Sequence, residues 1–222
     1  MASLSMTYFS DVLCIWAYVA QMRIDRLKSE FGERVSFENR FCSVFGDAHG
    51  KVRKNWNGDY AAFNRHLRDV AAAHPDLHLH PDVWLAAQPA SSTSVHLTLK
   101  AVGLVEEAGT YSPGTTDQIC WAFRCAFFRD AKDIADWSVQ EHVIHAAGLD
   151  PHEAYARIRD GSAFAALAAD YAEAEARRVQ GSPSFVLNQG RQMLYGNVGY
   201  RVIKANLEEL LREPLSGEAS WC

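Results

Sequence analysis

No unbroken apolar stretch approaches the roughly 18 residues of a membrane-spanning helix, so no membrane association is expected. The opening residues lack the charged start, apolar block and small-residue cleavage site of an export signal, and the expectation is a cytoplasmic protein. No run of Lys or Arg interleaves with aromatics, and the formal net charge is −5 with a pI near 6.0. A nucleic-acid partner, which calls for a basic face, is therefore not expected. Cysteine is sparse and odd in number: Cys14, Cys42, Cys120, Cys125 and Cys222. Without an export signal, five thiols argue against a disulfide framework and for mostly reduced cysteines. Internal repeats and low-complexity segments are also missing.

What is present suits a substantial core, with 48% hydrophobic and 22% charged residues over 222 positions. Met6 to Leu13 reads as a short apolar strand. Ala17, Ala20, Ile24, Leu27 and Phe31 then recur at spacings of three and four, the stripe of an amphipathic helix that Gly32 ends. Arg34 to Phe45 alternates well enough for a second strand, and strand, helix, strand implies a parallel crossover unit. From about Tyr60 to Leu167 the chain is alanine-rich and helical in period, broken at prolines and glycines near positions 75, 89, 113 and 150. Strands return at Pro183 to Asn188 and Arg191 to Tyr195 around a turn at Gln189-Gly190, and Val202 to Leu211 forms a last helix that Glu213-Pro214 stops. The expected class is α/β, the parts of a thioredoxin fold: residues 1–58 and 178–222 make one domain, into which 59–177 insert an all-helical one.

Cys14 follows the first strand and opens the first helix, where free backbone N–H groups and the positive end of the helix dipole stabilise an anion. A thiol so placed is expected to titrate below the ordinary value of about 8.5 and to act as a nucleophile. The bland alternative is a small buried hydrophobe, the common fate of a free cysteine. Trp16 offers a flat apolar rim beside it, which Phe9, Trp56 and Tyr195 either extend or leave to the core. Cys120 and Cys125 stand five apart in an apolar helix, on different faces, and read as packing residues. Cys222 is the last residue, a thiol without an assigned role. His74, His78 and His80 invite a metal reading, yet no further ligand pattern accompanies them, and a solvated loop explains them better. No metal site is expected.

The segment Phe9-Ser10-Asp11-Val12-Leu13-Cys14-Ile15-Trp16-Ala17-Tyr18 resembles the strand-to-helix active-site segment of the DsbA-like thioredoxin-fold family, which includes DsbA oxidoreductases, 2-hydroxychromene-2-carboxylate isomerases and kappa-class glutathione transferases. Val179-Gln180-Gly181-Ser182-Pro183-Ser184-Phe185-Val186 is similar to the family loop in which a cis-proline faces the reactive cysteine. The polar helix from about Ile134 to Leu149 also fits, so the resemblance covers nearly the whole chain. It implies that Pro183 packs beside Cys14, that Trp16 borders the site, and that the Ser182 backbone offers strand-like hydrogen bonds to a peptide or glutathione.

The family usually has a second cysteine where this chain has Ala17, and a proline where it has Ile15. A mixed disulfide at Cys14 therefore lacks its usual neighbouring thiol. An external thiol such as glutathione, or a remote cysteine, would have to resolve it. Cys42, near the end of the second strand at the edge from which Cys14 emerges, is the geometric candidate for resolution, against the simpler reading of a core cysteine. The leading expectation is a monothiol, thiol-dependent oxidoreductase acting on a small thiol or a peptide or protein thiol, with no tightly bound cofactor. A glutathione-dependent isomerase or transferase is the second, with glutathione as cosubstrate. Its family counterpart grips glutathione at the start of the last helix; this chain reads Gly196-Asn197-Val198-Gly199-Tyr200-Arg201 there, leaving Asn197 or Arg201 to substitute. A redox-inactive peptide-binding module is the third. Apolar surface on the inserted helices is compatible with a homodimer.

Overall fold

The computed structural model describes residues 4–212; Cys222 and the proposed helix stop at Glu213-Pro214 lie outside them. Four strands, β1 (Leu4–Ser10), β2 (Val35–Phe41), β3 (Ser184–Leu187) and β4 (Gln192–Tyr195), form one sheet in the order β2-β1-β3-β4. β1 and β2 run parallel from Leu4↔Val35 to Ser10↔Phe41. β3 lies antiparallel to both β1 and β4. Between β1 and β2 runs α1 (Ile15–Phe31), as the strand, helix, strand pattern requires. The order matches the expected mixed α/β thioredoxin fold.

Eight helices lie between β2 and β3: α2 (Ala48–Trp56), α3 (Tyr60–Ala72), α4 (Val83–Ala86), α5 (Thr93–Glu107), α6 (Thr115–Phe128), α7 (Trp137–Ala146), α8 (Pro151–Arg159) and α9 (Ser162–Ala176). A closing helix, α10 (Tyr200–Leu211), follows β4. Aspartates at 47, 59, 136 and 150 cap α2, α3, α7 and α8 by accepting from backbone N–H groups that the first turn leaves free.

Period-two alternation divides the sheet residues between two faces. Met6, Tyr8, Phe185 and Leu187 pack with Ile24, Leu27 and Phe31 of α1 and with Ile203 and Leu207 of α10. Phe9 and Val186 face the other way and meet Cys42 and Ala174. A third, larger core joins the elbow after β1 to the helices, through Val12, Leu13, Phe45, Phe63, Leu67, Trp84 and Phe127.

Three sequence boundaries shift. β1 ends at Ser10 rather than Leu13, because the Asp11 carboxylate accepts from the Leu13 amide at 3.0 Å and turns the chain. β2 ends at Phe41 rather than Phe45, because the amides of Val44 and Phe45 also turn to Asp11. The hairpin contains a turn of 3₁₀ helix, Asn188–Gly190, with Asn188 and Gln189 both at positive φ. Helix α9, inside the expected insert, docks on the sheet: the fully buried Asp170 accepts from the Phe41 amide at 3.0 Å and from Arg40 at 3.2 Å. Among the described residues no helix is long and apolar enough to cross a membrane.

Candidate active site

Cys14 is the N-cap of α1, with extended φ and ψ of −83° and 117°. Its carbonyl accepts from the amides of Ala17 and Tyr18, and its own amide donates to the Asp11 carbonyl, which closes the elbow. Its thiol points away from the cap role and donates to the Ser182 carbonyl at 3.2 Å. The Ser182–Pro183 peptide bond is cis. This loop is fastened at both ends: the Ser184 hydroxyl donates to the Gly181 carbonyl, and the Gly196 amide donates to the Pro183 carbonyl. Gly181 lets the loop run close to the Tyr195 side chain, since a Cβ there would stand 3.1 Å from the Tyr195 hydroxyl.

The expected low thiol pKa is corrected. Cys14 is 5% exposed, and burial pushes its thiol above the ordinary value; the Ser182 side chain and the amides of Ala17 and Trp16 favour the thiolate, the Asp11 charge opposes it, and burial prevails. The helix N-terminus acts in the expected direction and is outweighed.

A cavity of about 270 Å³ opens beside Cys14. Its walls are aromatic and aliphatic: Trp16, Phe45, Trp56, Phe63 and Tyr195, with Leu67 behind. Trp16, Ser182, Trp56 and Tyr195 line it, Pro183 is not among its lining residues, and Phe9 is fully buried elsewhere. Lys51 and His66 also line it and no acidic residue does. Lys51 stands 4.9 Å above the Phe45 ring, and the His66 ring lies 5.1 Å from that of Trp56.

Cys42 does not line this cavity. It sits in the small cluster of Phe9, Ala174 and Val186, and burial pushes its thiol well above the ordinary value, which fits the packing reading. Cys14, Cys42, Cys120 and Cys125 are all free and buried. Asn197 is also outside the cavity: it is exposed and accepts from Arg23, 2.5 Å away. Arg201 lies on a separate surface pocket with Arg26, Tyr200, Lys204 and Glu208. The His74–His80 loop docks on α1, where His74 meets Trp16 edge to face and the His78 carbonyl accepts from the Tyr18 hydroxyl. Among the described residues no cluster fit for a metal ion occurs.

Sequence reasoning missed a buried polar group behind Cys14. Asp11 and His96 are both fully buried, with His96 Nε2 3.8 Å from Asp11 Oδ1. The Val12 amide donates to His96 Nε2 at 3.1 Å, so Nδ1 carries the ring proton and donates to the Tyr171 hydroxyl at 3.0 Å. Burial pulls the His96 pKa down to about 4, which keeps the ring neutral near neutral pH. A signal existed: Asp11 and His96 each interrupt an apolar run, in SDVL and VHLTL.

The model of the DSBA-like thioredoxin domain family matches residues 6–208. Among curated proteins, none matches the chain. The chain superposes on a probable DsbA oxidoreductase from Streptomyces coelicolor with a TM-score of 0.72 at 22% identity, covering 98% of this chain and 94% of the other. It superposes on the cytosolic disulfide reductase DsbM from Pseudomonas aeruginosa, in its structure with GSH, at 0.67 and 18%, covering 95% and 100%. It also superposes on a 2-hydroxychromene-2-carboxylate isomerase at 0.65 and 15%, covering 93% and 95%. At these identities the likeness speaks to fold.

Proposed function

The chain belongs to the DSBA-like thioredoxin domain family, and from that premise we propose that it is a cytoplasmic, monothiol oxidoreductase in which Cys14 exchanges with small disulfides and glutathione serves as the external thiol. The observation that carries this reading is the Cys14 thiol against the Ser182 carbonyl of the cis-proline loop, on the wall of a cavity that holds no second thiol. The Cys14 thiolate attacks one sulfur of the disulfide, forming a mixed disulfide and expelling the other sulfur as a thiolate. A glutathione thiolate then attacks the substrate sulfur of that mixed disulfide and returns Cys14 as a thiolate. No step needs a neighbouring cysteine, which agrees with Ala17 at that position and with Cys42 packed elsewhere.

The size and charge of the cavity favour a small anionic partner over a folded protein. A volume of about 270 Å³ lies near the lower end for ligand sites. Lys51 and His66, with no acid on the walls, suit a carboxylate-bearing thiol. The same features support the second reading, a glutathione-dependent isomerase or transferase in which the aromatic walls take an apolar electrophile.

Glutathione-coupled reduction of a small disulfide, compared between the natural chain and Cys14→Ser, tests the proposal. Loss of at least roughly a hundredfold in rate is expected if the only reacting thiol is removed; retained turnover refutes it. Saturable glutathione protection of Cys14 without disulfide turnover would move the assignment to the second reading.

A further inference from the structure

The walls around Cys14 come from segments far apart in the chain, and one buried residue ties most of them together. The Asp11 carboxylate accepts four hydrogen bonds: from Leu13 N at 3.0 Å, Val44 N at 3.0 Å, Phe45 N at 2.8 Å and the Ser92 hydroxyl at 2.8 Å. All four partners donate to its two oxygens. Its backbone amide donates to Ser182 Oγ at 2.9 Å, and the Ser182 carbonyl accepts from the Cys14 thiol. The Ser92 amide in turn donates to the Phe45 carbonyl, so the start of α5 and the cavity wall share the same anchor. Asp11 itself does not line the cavity.

We propose that Asp11 is the positioning residue of this site: it locks the Cys14 elbow, the Val44-Phe45 wall and the Ser182-Pro183 loop into one arrangement, and it sets a negative charge against the thiol. The proposal rests on Cys14 as the reacting group. Four amide or hydroxyl donors converging on one carboxylate exceed what a chain turn alone requires, and all four belong to segments that form or hold the cavity wall. Other titratable groups face Cys14 or the cavity: Tyr8 from β1, Cys42 after β2, Lys51 from α2, His66 from α3 and Arg124 from α6. His96 from α5 and Tyr171 from α9 are joined behind Asp11. Asp11 is the one carboxylate among them.

The experiment is the pH dependence of Cys14 alkylation by iodoacetamide, read by mass spectrometry of the Cys14 peptide, in the full-length chain and in Asp11→Asn and Ser92→Ala, with folding checked by circular dichroism. Asp11→Asn removes the charge: the alkylation midpoint moves to lower pH, and the rate at pH 7 rises roughly threefold or more. Disulfide turnover nevertheless falls by about tenfold, since one carboxylate oxygen becomes an NH2 group: with the amide oxygen kept on the Val44, Phe45 and Ser92 donors, the NH2 meets the Leu13 amide and loosens the Cys14 elbow. Ser92→Ala removes one compensating donor and keeps the charge, so the midpoint moves to higher pH. Loosening alone would relieve the burial that holds the thiol up and would shift both variants to lower pH. Opposite shifts therefore support the proposal, and shifts of one sign, or none, overturn it. If Asp11→Asn does not fold, Ser92→Ala decides alone: an upward shift supports, no shift or a downward one overturns. The alkylation readout needs no turnover, so full activity in Cys14→Ser refutes the oxidoreductase reading without being mistaken for a failure of this test.

Discussion

At the scale of single residues, burial dominates the chemistry near Cys14. His96 shows the consequence for stability. Its pKa falls from 6.5 to about 4 on folding, chiefly through desolvation, so between these values the unfolded chain binds more protons than the folded one. Stability then rises with pH across that window: the contribution is fully present above about pH 6.5 and is lost as pH falls toward 4. The shift corresponds to roughly 3 kcal/mol. Urea midpoints measured from pH 7 to pH 4 should fall accordingly, and His96→Asn should flatten that slope while lowering the pH 7 midpoint; an unchanged slope would remove His96 as the cause. A second residue-scale expectation concerns Ala17, which is fully buried on the first turn of α1, three residues after Cys14. Ala17→Cys restores the spacing of a Cys-X-X-Cys pair and adds a single heavy atom. Reversible loss of Cys14 alkylation on mild oxidation is expected, and a Cys14 that stays fully alkylatable would mean that the site cannot close a local disulfide. Cys14, Trp16 and Ser182, which meet at the cavity, sit in two short contiguous segments of the sequence, and Pro183 is not among the lining residues. Asp11 and His96 were not legible in the sequence, since their partners lie at separations of 81, 84 and 171 residues, and a lone polar residue in an apolar run does not name its partner.

At the scale of elements, periodicity located β1, α1, β2, the hairpin and α10 to within a few residues, and the two misplaced strand ends share one cause. Both misplaced strand ends, Leu13 and Phe45, continue an apolar pattern that Asp11 interrupts by accepting backbone donors that a ladder would otherwise use. Helix α9, expected within the inserted residues, is attached to the sheet, and its alanine-rich sequence carries no mark of the edge it covers. Asp170 provides that attachment: it is fully buried and bonded to the Phe41 amide, Arg40 and Lys100. Asp170→Ala leaves the Arg40 guanidinium and the Phe41 amide without this acceptor. A loss of about 3 kcal/mol is expected from breaking a buried charged network. Chemical denaturation gives the size, and hydrogen exchange should show β2 and α9 losing protection first. A loss under about 1 kcal/mol would mean that apolar packing, not Asp170, holds the helix to the sheet.

At the scale of the whole molecule, the cavity is walled by segments from across the chain. The elbow supplies Leu13 to Trp16, the loop after β2 supplies Val44 and Phe45, α2 and α3 supply Lys51, Trp56, Phe63, His66 and Leu67, and the cis-proline loop and β4 close the rest. Sequence patterning could assign each of these segments to an element, but not predict that they enclose a common space, because enclosure depends on how the helical block meets the sheet. Trp56 is the wall residue best suited to a test. It is half-buried at the end of α2, with its ring 5.6 Å from that of Phe63 and 5.1 Å from that of His66, so truncation enlarges the cavity at a lower stability cost than the roughly 3–5 kcal/mol of a core Trp→Ala. If the walls set the size of the partner that reaches Cys14, the natural chain should discriminate between iodoacetamide and a bulky maleimide far more strongly than a free thiol does. Trp56→Ala should erode that discrimination several-fold by accelerating the bulky reagent and leaving the small one nearly unchanged. Equal acceleration of both would point to general loosening around α2, and no change would show that Cys14 is reached from another side. Only the selective result is consistent with a site built for small partners, because a site meant for protein chains would gain nothing from a wall that excludes them.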